Sequence, residues 1–145
     1  MKVFPNNAGN VTSVVPFLNV PDVARSVDFY LNGLGFTMTR KWIDDGRLRW
    51  CWLEKGAAAL MIQELWKDGS RVLQPAEQLG QGVSLVFICD DAPAVYRDIT
   101  ARGIQATEPC VGNGMWNFGV SDPYGFRLEF ESLTDTPEDT RLSDL

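Results

Sequence analysis

The sequence predicts an α+β fold built from two tandem β-α-β-β-β modules. Short apolar runs bounded by turn residues recur along the chain, four before residue 65 and four after residue 81, as strands do. Each set also holds one helical stretch after its first strand, opened by an aspartate N-cap. The two caps, Asp22 and Asp91, are 69 residues apart, and Leu60 and Leu128 in the closing strands are 68 apart. Self-similarity at a near-constant offset marks duplicated units. The one-residue difference fits the extra residue in Gly33-Leu34-Gly35.

In order, residues 11–20 read as the first strand, and Pro16 within it suggests an edge position or a bulge, since proline donates nothing to a ladder. Pro21-Asp22 opens a helix in which Val23, Val27, Tyr30 and Leu31 fall on one stripe, and Gly33 and Gly35 stop it. Residues 36–43, 47–53 and 57–64 form a meander joined by Asp44-Asp45-Gly46 and Glu54-Lys55-Gly56. The pattern then restarts. Residues 83–89 are a strand, and Asp90-Asp91 opens a helix with Pro93 in its first turn and Ala92, Val95 and Ile99 as its buried stripe. Residues 104–111, 115–121 and 126–131 complete the second meander, the last pair joined by the turn Asp122-Pro123-Tyr124-Gly125. The chain therefore divides into module one (11–64), a connector (65–81), module two (82–132) and a loose acidic tail (133–145). The connector is long for a compact domain, which favours its covering a binding surface.

Composition narrows the chemistry. The 145 residues contain no histidine, which removes Ser-His-Asp and Cys-His catalysis and nearly every common catalytic zinc or iron site. Thirteen Lys and Arg stand against 19 Asp and Glu, a net charge of −6. With no basic cluster to displace counterions from phosphates, nucleic acid is not an expected partner. No apolar run is long enough to span a membrane, and Met1 to Asn10 lacks the apolar core of a secretory leader. Cys51, Cys89 and Cys110 are odd in number and show no C-x-x-C spacing, so they read as reduced thiols in a cytoplasmic protein.

Val20-Pro21-Asp22, Ser26-Val27-Asp28-Phe29-Tyr30, Leu34-Gly35-Phe36 and the closing Asp122-Pro123-Tyr124-Gly125-Phe126-Arg127-Leu128-Glu129 resemble the vicinal oxygen chelate superfamily over residues 11–132. That superfamily includes glyoxalase I, extradiol dioxygenases, fosfomycin-resistance enzymes and the bleomycin-resistance binding proteins. The resemblance implies a curved mixed sheet with a concave cleft. It also implies metal-ligand positions in the first and last strand of each module, which fall on Val15, Met61, Ser84 and Glu129. Valine cannot ligate and a lone carboxylate does not hold a transition ion, so neither metal nor cofactor is expected. The chain is most similar to the metal-free bleomycin-resistance members through Pro16, Asp22-Val23, Trp116 followed by Phe118, and its negative charge. It departs from them in Arg47 and Arg49, which favour anionic or neutral ligands if they line the cleft.

Candidate ligand contacts are Phe17, Arg49, Trp50, Trp52, Met61, Trp66, Ser84, Trp116 and Glu129. Alternation puts Leu48, Trp50 and Trp52 on one face of their strand and Arg47, Arg49, Cys51 and Leu53 on the other. Either the tryptophans pack under the helix and the arginines face the cleft, or the indoles themselves stack on a planar ligand; parity leaves both open. Glu129 is either a ligand contact or the partner of Arg127 or Arg49. The expected function is sequestration of a small, aromatic-bearing organic compound by a homodimer. The alternative is an isomerase or lyase that uses Glu129 as acid or base with an atypical metal or none.

Overall fold

The structure, a computed structural model, describes residues 9–145. Most of the Met1–Asn10 stretch, read as lacking a leader core, lies outside them. In chain order the elements are β1 (Phe17–Val20), α1 (Val23–Asp28), β2 (Thr37–Asp44), β3 (Arg47–Lys55), β4 (Ala58–Glu64), β5 (Trp66–Lys67) and β6 (Ser70–Arg71). They continue as β7 (Ser84–Ile88), α2 (Ala92–Ala101), β8 (Cys110–Gly112), β9 (Met115–Ser121) and β10 (Arg127–Leu133). Two four-stranded sheets have the same order, β1-β4-β3-β2 and β7-β10-β9-β8. In each, the first strand runs parallel to the last and the remaining pairs are antiparallel. The duplicated β-α-β-β-β architecture is thus present in both halves.

Local chemistry accounts for the element ends. Asp22 accepts a hydrogen bond from the Arg25 amide at 3.3 Å, and Asp91 does the same for Ala94 at 3.1 Å. After Asp28 the first helix widens into a π turn over Phe29–Gly33. That turn brings Tyr30 and Leu34 into the core and leaves Leu31 only partly covered. β1 is shorter than its apolar run. It begins after Pro16, whose carbonyl accepts from the Met61 amide at 2.9 Å but which has no N–H to offer. β8 is likewise confined to three residues. Upstream of it the Thr107 hydroxyl accepts the Gly119 amide proton at 2.8 Å, so a side chain stands where a ladder carbonyl would be.

Each helix covers one face of its own sheet. Val20, Tyr30, Leu34, Leu53, Leu60 and Ile62 fill module one, while Ile99, Phe118, Val120, Leu128 and Phe130 fill module two. Full burial of each such side chain is worth about 1.5–3 kcal/mol. The cores meet where Phe36 packs edge-on against Phe87 at 6.0 Å between ring centroids, and Phe87 stacks in turn on Phe130. A polar tie reinforces this contact. Tyr30 Oη of module one donates to Asp122 Oδ2 of module two at 2.9 Å, and Asp122 Oδ1 accepts the Tyr124 and Phe126 amides. Burial pushes the Asp122 carboxyl above its usual range, and those donors oppose the shift. The Asp122-Pro123-Tyr124-Gly125 turn therefore also latches the modules together.

The tail is not loose. Its backbone pairs with the outer edge of β8: the Val111 amide donates to Thr140 O, the Asp139 amide to Val111 O and the Leu142 amide to Pro109 O, at 2.9–3.0 Å. The Ser143 amide donates to Glu108 Oε1. The polar composition of 133–145 conceals this because the binding groups are main-chain ones. Among the described residues, no helix is long and apolar enough to cross a membrane.

Two outcomes follow for stability. Tyr30→Phe leaves Asp122 Oδ2 buried without its donor and lowers the unfolding free energy in urea by about 1–3 kcal/mol. In hydrogen exchange, the Val111 and Leu142 amides are protected well above the level of a free terminus; exchange at the unstructured rate would contradict the docked tail.

Candidate functional site

Because a helix covers only one face of each sheet, the opposite faces are open, and strand register lists what they carry. In module one, one cross-strand row runs Phe17, Met61, Trp52, Arg40, and the next runs Asn19, Gln63, Trp50, Trp42. Phe17 is 46% exposed, and Met61, Trp50 and Trp52 are half-buried. The Arg40 guanidinium lies 4.3 Å from the Trp52 ring, and the Trp52 indole N–H donates to Glu54 at 3.1 Å. Trp50 and Trp52 are therefore on the open face, and Cys51 and Leu53 are the pair beneath the helix.

In module two the rows are Ser84, Arg127, Ser121, then Val86, Glu129, Gly119, then Ile88, Glu131, Asn117, Cys110. Ser84, Val86 and Ile88 are exposed. Both carboxylates have neighbours of their own. Glu129 lies 3.6 Å from Arg127 Nε, and Glu131 accepts from Asn117 at 2.8 Å. Between the modules a hollow of about 330 Å³ is walled by Pro16 and Ala59 on one side and Ser84, Val86 and Ile88 on the other. It adjoins a larger cavity of about 460 Å³ beside Phe87, Cys89 and Phe130.

Three predicted contacts lie elsewhere. Trp116 is only 7% exposed, because it alternates with Phe118 and Val120 on the helix side of β9, and it is a core residue. Arg49 shares the helix-side row with Cys51 rather than the face of Trp50. It meets Asp44 at 2.6 Å and Glu64 at 3.3 Å, and its guanidinium lies over the Trp42 and Trp66 rings at 4.8 and 4.6 Å. Trp66 belongs to the β5–β6 hairpin, donates its indole N–H to Glu64 at 3.0 Å and lines a separate hollow with Leu65, Val72 and Leu79. The connector thus covers the helix-side end of sheet one.

That end is organised by Glu64, whose side chain is 1% exposed. Arg47 grips it through Nε and Nη2, and Arg49 and Arg71 stand at 3.3 and 3.7 Å. The Arg47 hydrogen bonds, helped by Trp66 and by the charges of Arg47 and Arg71, hold the Glu64 carboxyl below its ordinary range against the effect of burial. A depressed folded-state value means stability present above the unfolded pKa and lost as pH falls through the folded one. Glu64→Gln accordingly melts at a lower temperature than the wild type at pH 7, and the gap narrows as pH falls below about 4. Parallel melting curves across that range would show that Glu64 carries no such linkage.

The positions that the family resemblance aligns with metal ligands offer a hydrocarbon (Val15), a thioether (Met61), a hydroxyl (Ser84) and one carboxylate already beside an arginine (Glu129). This donor set does not fit a divalent transition ion. Among the described residues, no three His, Cys, Asp or Glu side chains cluster so as to hold a metal. The three cysteines are unpaired, and burial pushes the Cys51 thiol up to about 11, leaving it inert at neutral pH. Arg40, Gln63, Arg127 and Gly119 share the open faces and were not among the predicted contacts; the period-two alternation of β2, β4, β9 and β10 is the signal that marks them.

Fold and site together define a duplicated-module protein with open sheet faces. The family model described as the Glyoxalase/Bleomycin resistance protein/Dioxygenase superfamily matches residues 11–130, and the chain belongs to that superfamily. Among solved structures it is similar to TnmS3, an antibiotic binding protein from Streptomyces sp. CB03234, with a TM-score of 0.62, 18% identity, and coverage of 84% of this chain and 97% of that one. TioX from Micromonospora sp. ML1 aligns with a TM-score of 0.63 and 19% identity, over 86% of this chain and 98% of the other. A glyoxalase/bleomycin resistance protein/dioxygenase from Nocardioides gives 0.61 and 19%, covering 90% and 89%. No curated protein matches the chain.

Proposed function

We propose that this chain is a metal-free binding protein that sequesters a small, aromatic-bearing organic compound against its open sheet faces. The observation that carries this is the row Phe17, Met61, Trp52 with Trp50 beside it: a wide apolar and aromatic surface that no helix covers. Indoles and a thioether in such a row suit stacking on a planar ligand, each aromatic pair adding about 0.5–1.5 kcal/mol beyond area burial. TnmS3, which is similar in fold, is an antibiotic binding protein, and this supports an organic ligand rather than a macromolecular one. An apolar face this open also favours pairing with a second copy, so a homodimer is part of the proposal. Unpaired cysteines are in keeping with a cytoplasmic setting. The alternative use of Glu129 as acid or base has less support, because that side chain is 28% exposed and sits beside Arg127 rather than alone in an apolar pocket.

Titration with a panel of planar aromatic compounds quenches tryptophan fluorescence, and Trp52→Ala weakens the best binder about tenfold while leaving the melting temperature near that of the wild type. No quenching by any member of the panel would remove the binding reading. Elemental analysis of the purified protein finds Zn, Fe, Mn and Ni far below stoichiometry; one equivalent of any of them refutes the metal-free claim. Light scattering gives a dimer mass, and a clean monomer mass contradicts the pairing.

A further inference from the structure

We propose that Arg127 is the group by which the open face of module two recognises a carboxylate on the ligand, an inference that rests on the binding function above and narrows its ligand class to organic acids. Arg127 opens β10 and stands between Ser84 and Ser121 in its cross-strand row. Its guanidinium lies back over Gly119 in β9 while part of the side chain stays open to solvent. A β-carbon at position 119 would come within 2.6 Å of Arg127 Cζ, so the absence of a side chain there makes the cradle in which the guanidinium rests.

The cradled group has unspent donors. Glu129 is 3.6 Å from Nε, close enough for attraction but beyond hydrogen-bond distance, and among the described residues the Arg127 guanidinium makes no hydrogen bond. Its side chain is 43% exposed. It borders a hollow of about 280 Å³ whose other walls include Gln105, Thr107, Gly119 and Ser121, with no carboxylate among the lining residues. Thr107 already uses its oxygen to accept the Gly119 amide, which leaves its hydroxyl proton to donate. A planar fork of N–H groups with neutral donors beside it matches a carboxylate, which takes two parallel hydrogen bonds from one guanidinium. Of the other arginines near the open faces, Arg49 is held by Asp44 and Glu64 on the opposite side of its sheet, and Arg40 is engaged over the Trp52 ring at 4.3 Å. The selectivity for acids thus comes from module two, and Glu129 serves to hold Arg127 in place rather than to attract a cation.

Calorimetric titration with three ligands of one shape, naphthoate, naphthalenemethanol and naphthylmethylamine, tests this. Wild-type protein binds naphthoate about tenfold more tightly than the alcohol and binds the amine most weakly. Arg127→Gln removes the preference for naphthoate and leaves the alcohol unchanged. Gly119→Ala, which only crowds the movable end of Arg127, does the same with an unaltered melting temperature, and Arg127→Lys restores part of the preference because charge returns without the fork. Equal affinity of wild-type protein for all three ligands, or an undiminished naphthoate preference in Arg127→Gln, overturns the role of Arg127 while leaving the binding function standing. If none of the three binds the wild type, the binding function falls and this inference falls with it.

Discussion

One helix of six to ten residues can shield only one side of a four-stranded sheet, and each module has a single helix. The side it shields must be apolar, because backbone and side chains there lose their water. Leu53, Leu60 and Ile62 in module one and Phe118, Leu128 and Phe130 in module two meet that demand. Every second residue is then committed to the opposite side, where nothing in the same module covers it. The open faces are therefore a consequence of the topology and need no separate device to create them. What the chain controls is which side chains occupy them and how the two modules are held relative to each other. The second task falls to the Phe36–Phe87–Phe130 contact and the Tyr30–Asp122 hydrogen bond, an apolar seam with one polar pin. A pin of this kind adds direction: aromatic contacts tolerate sliding, whereas a 2.9 Å hydrogen bond into a carboxylate already fixed by two amides does not.

The duplicated architecture was legible in the sequence because the signals that specify it are local. Aspartate caps, turn dipeptides and strand-length apolar runs act over a few residues, and all of them repeat. The assignment of faces was harder. Trp50 and Trp52 alternate with Cys51 and Leu53, so both sides of β3 are apolar and periodicity alone has no anchor. The anchor is tertiary: Leu60 and Ile62 on the neighbouring strand pair with Leu53 and Cys51, and the helix decides which pair is covered. Trp116 could have been placed from its own strand, since Trp116, Phe118 and Val120 form one apolar alternation with Asn117 and Gly119 between them. Arg49 and Trp66 could not, because their positions depend on Glu64, a charged residue carried on the helix side of β4 where pattern reading expects none. The docked tail was also illegible, since main-chain pairing leaves no mark on side-chain composition.

Duplication would by itself give two equivalent faces, but the side chains on them have diverged. Module one presents Phe17, Trp50, Trp52 and Met61, a surface that rewards area and ring stacking. Module two presents Arg127, Glu129, Glu131, Asn117 and Ser84 beside the exposed Val86 and Ile88, a more polar surface that rewards hydrogen-bond geometry. Two such unlike faces favour different kinds of contact. Apolar burial scales with ligand area and discriminates poorly between similar rings, while a cradled guanidinium discriminates sharply by charge and shape. The same division extends to the four positions that the family resemblance aligns with metal ligands. With Val15 and Met61 in module one, the positions that could have held an ion join an apolar surface. With Ser84 and an arginine-neighboured Glu129 in module two, they join a polar one. At each of those four positions the side chain shares the character of the face around it, hydrocarbon or thioether in module one and hydroxyl or carboxylate in module two.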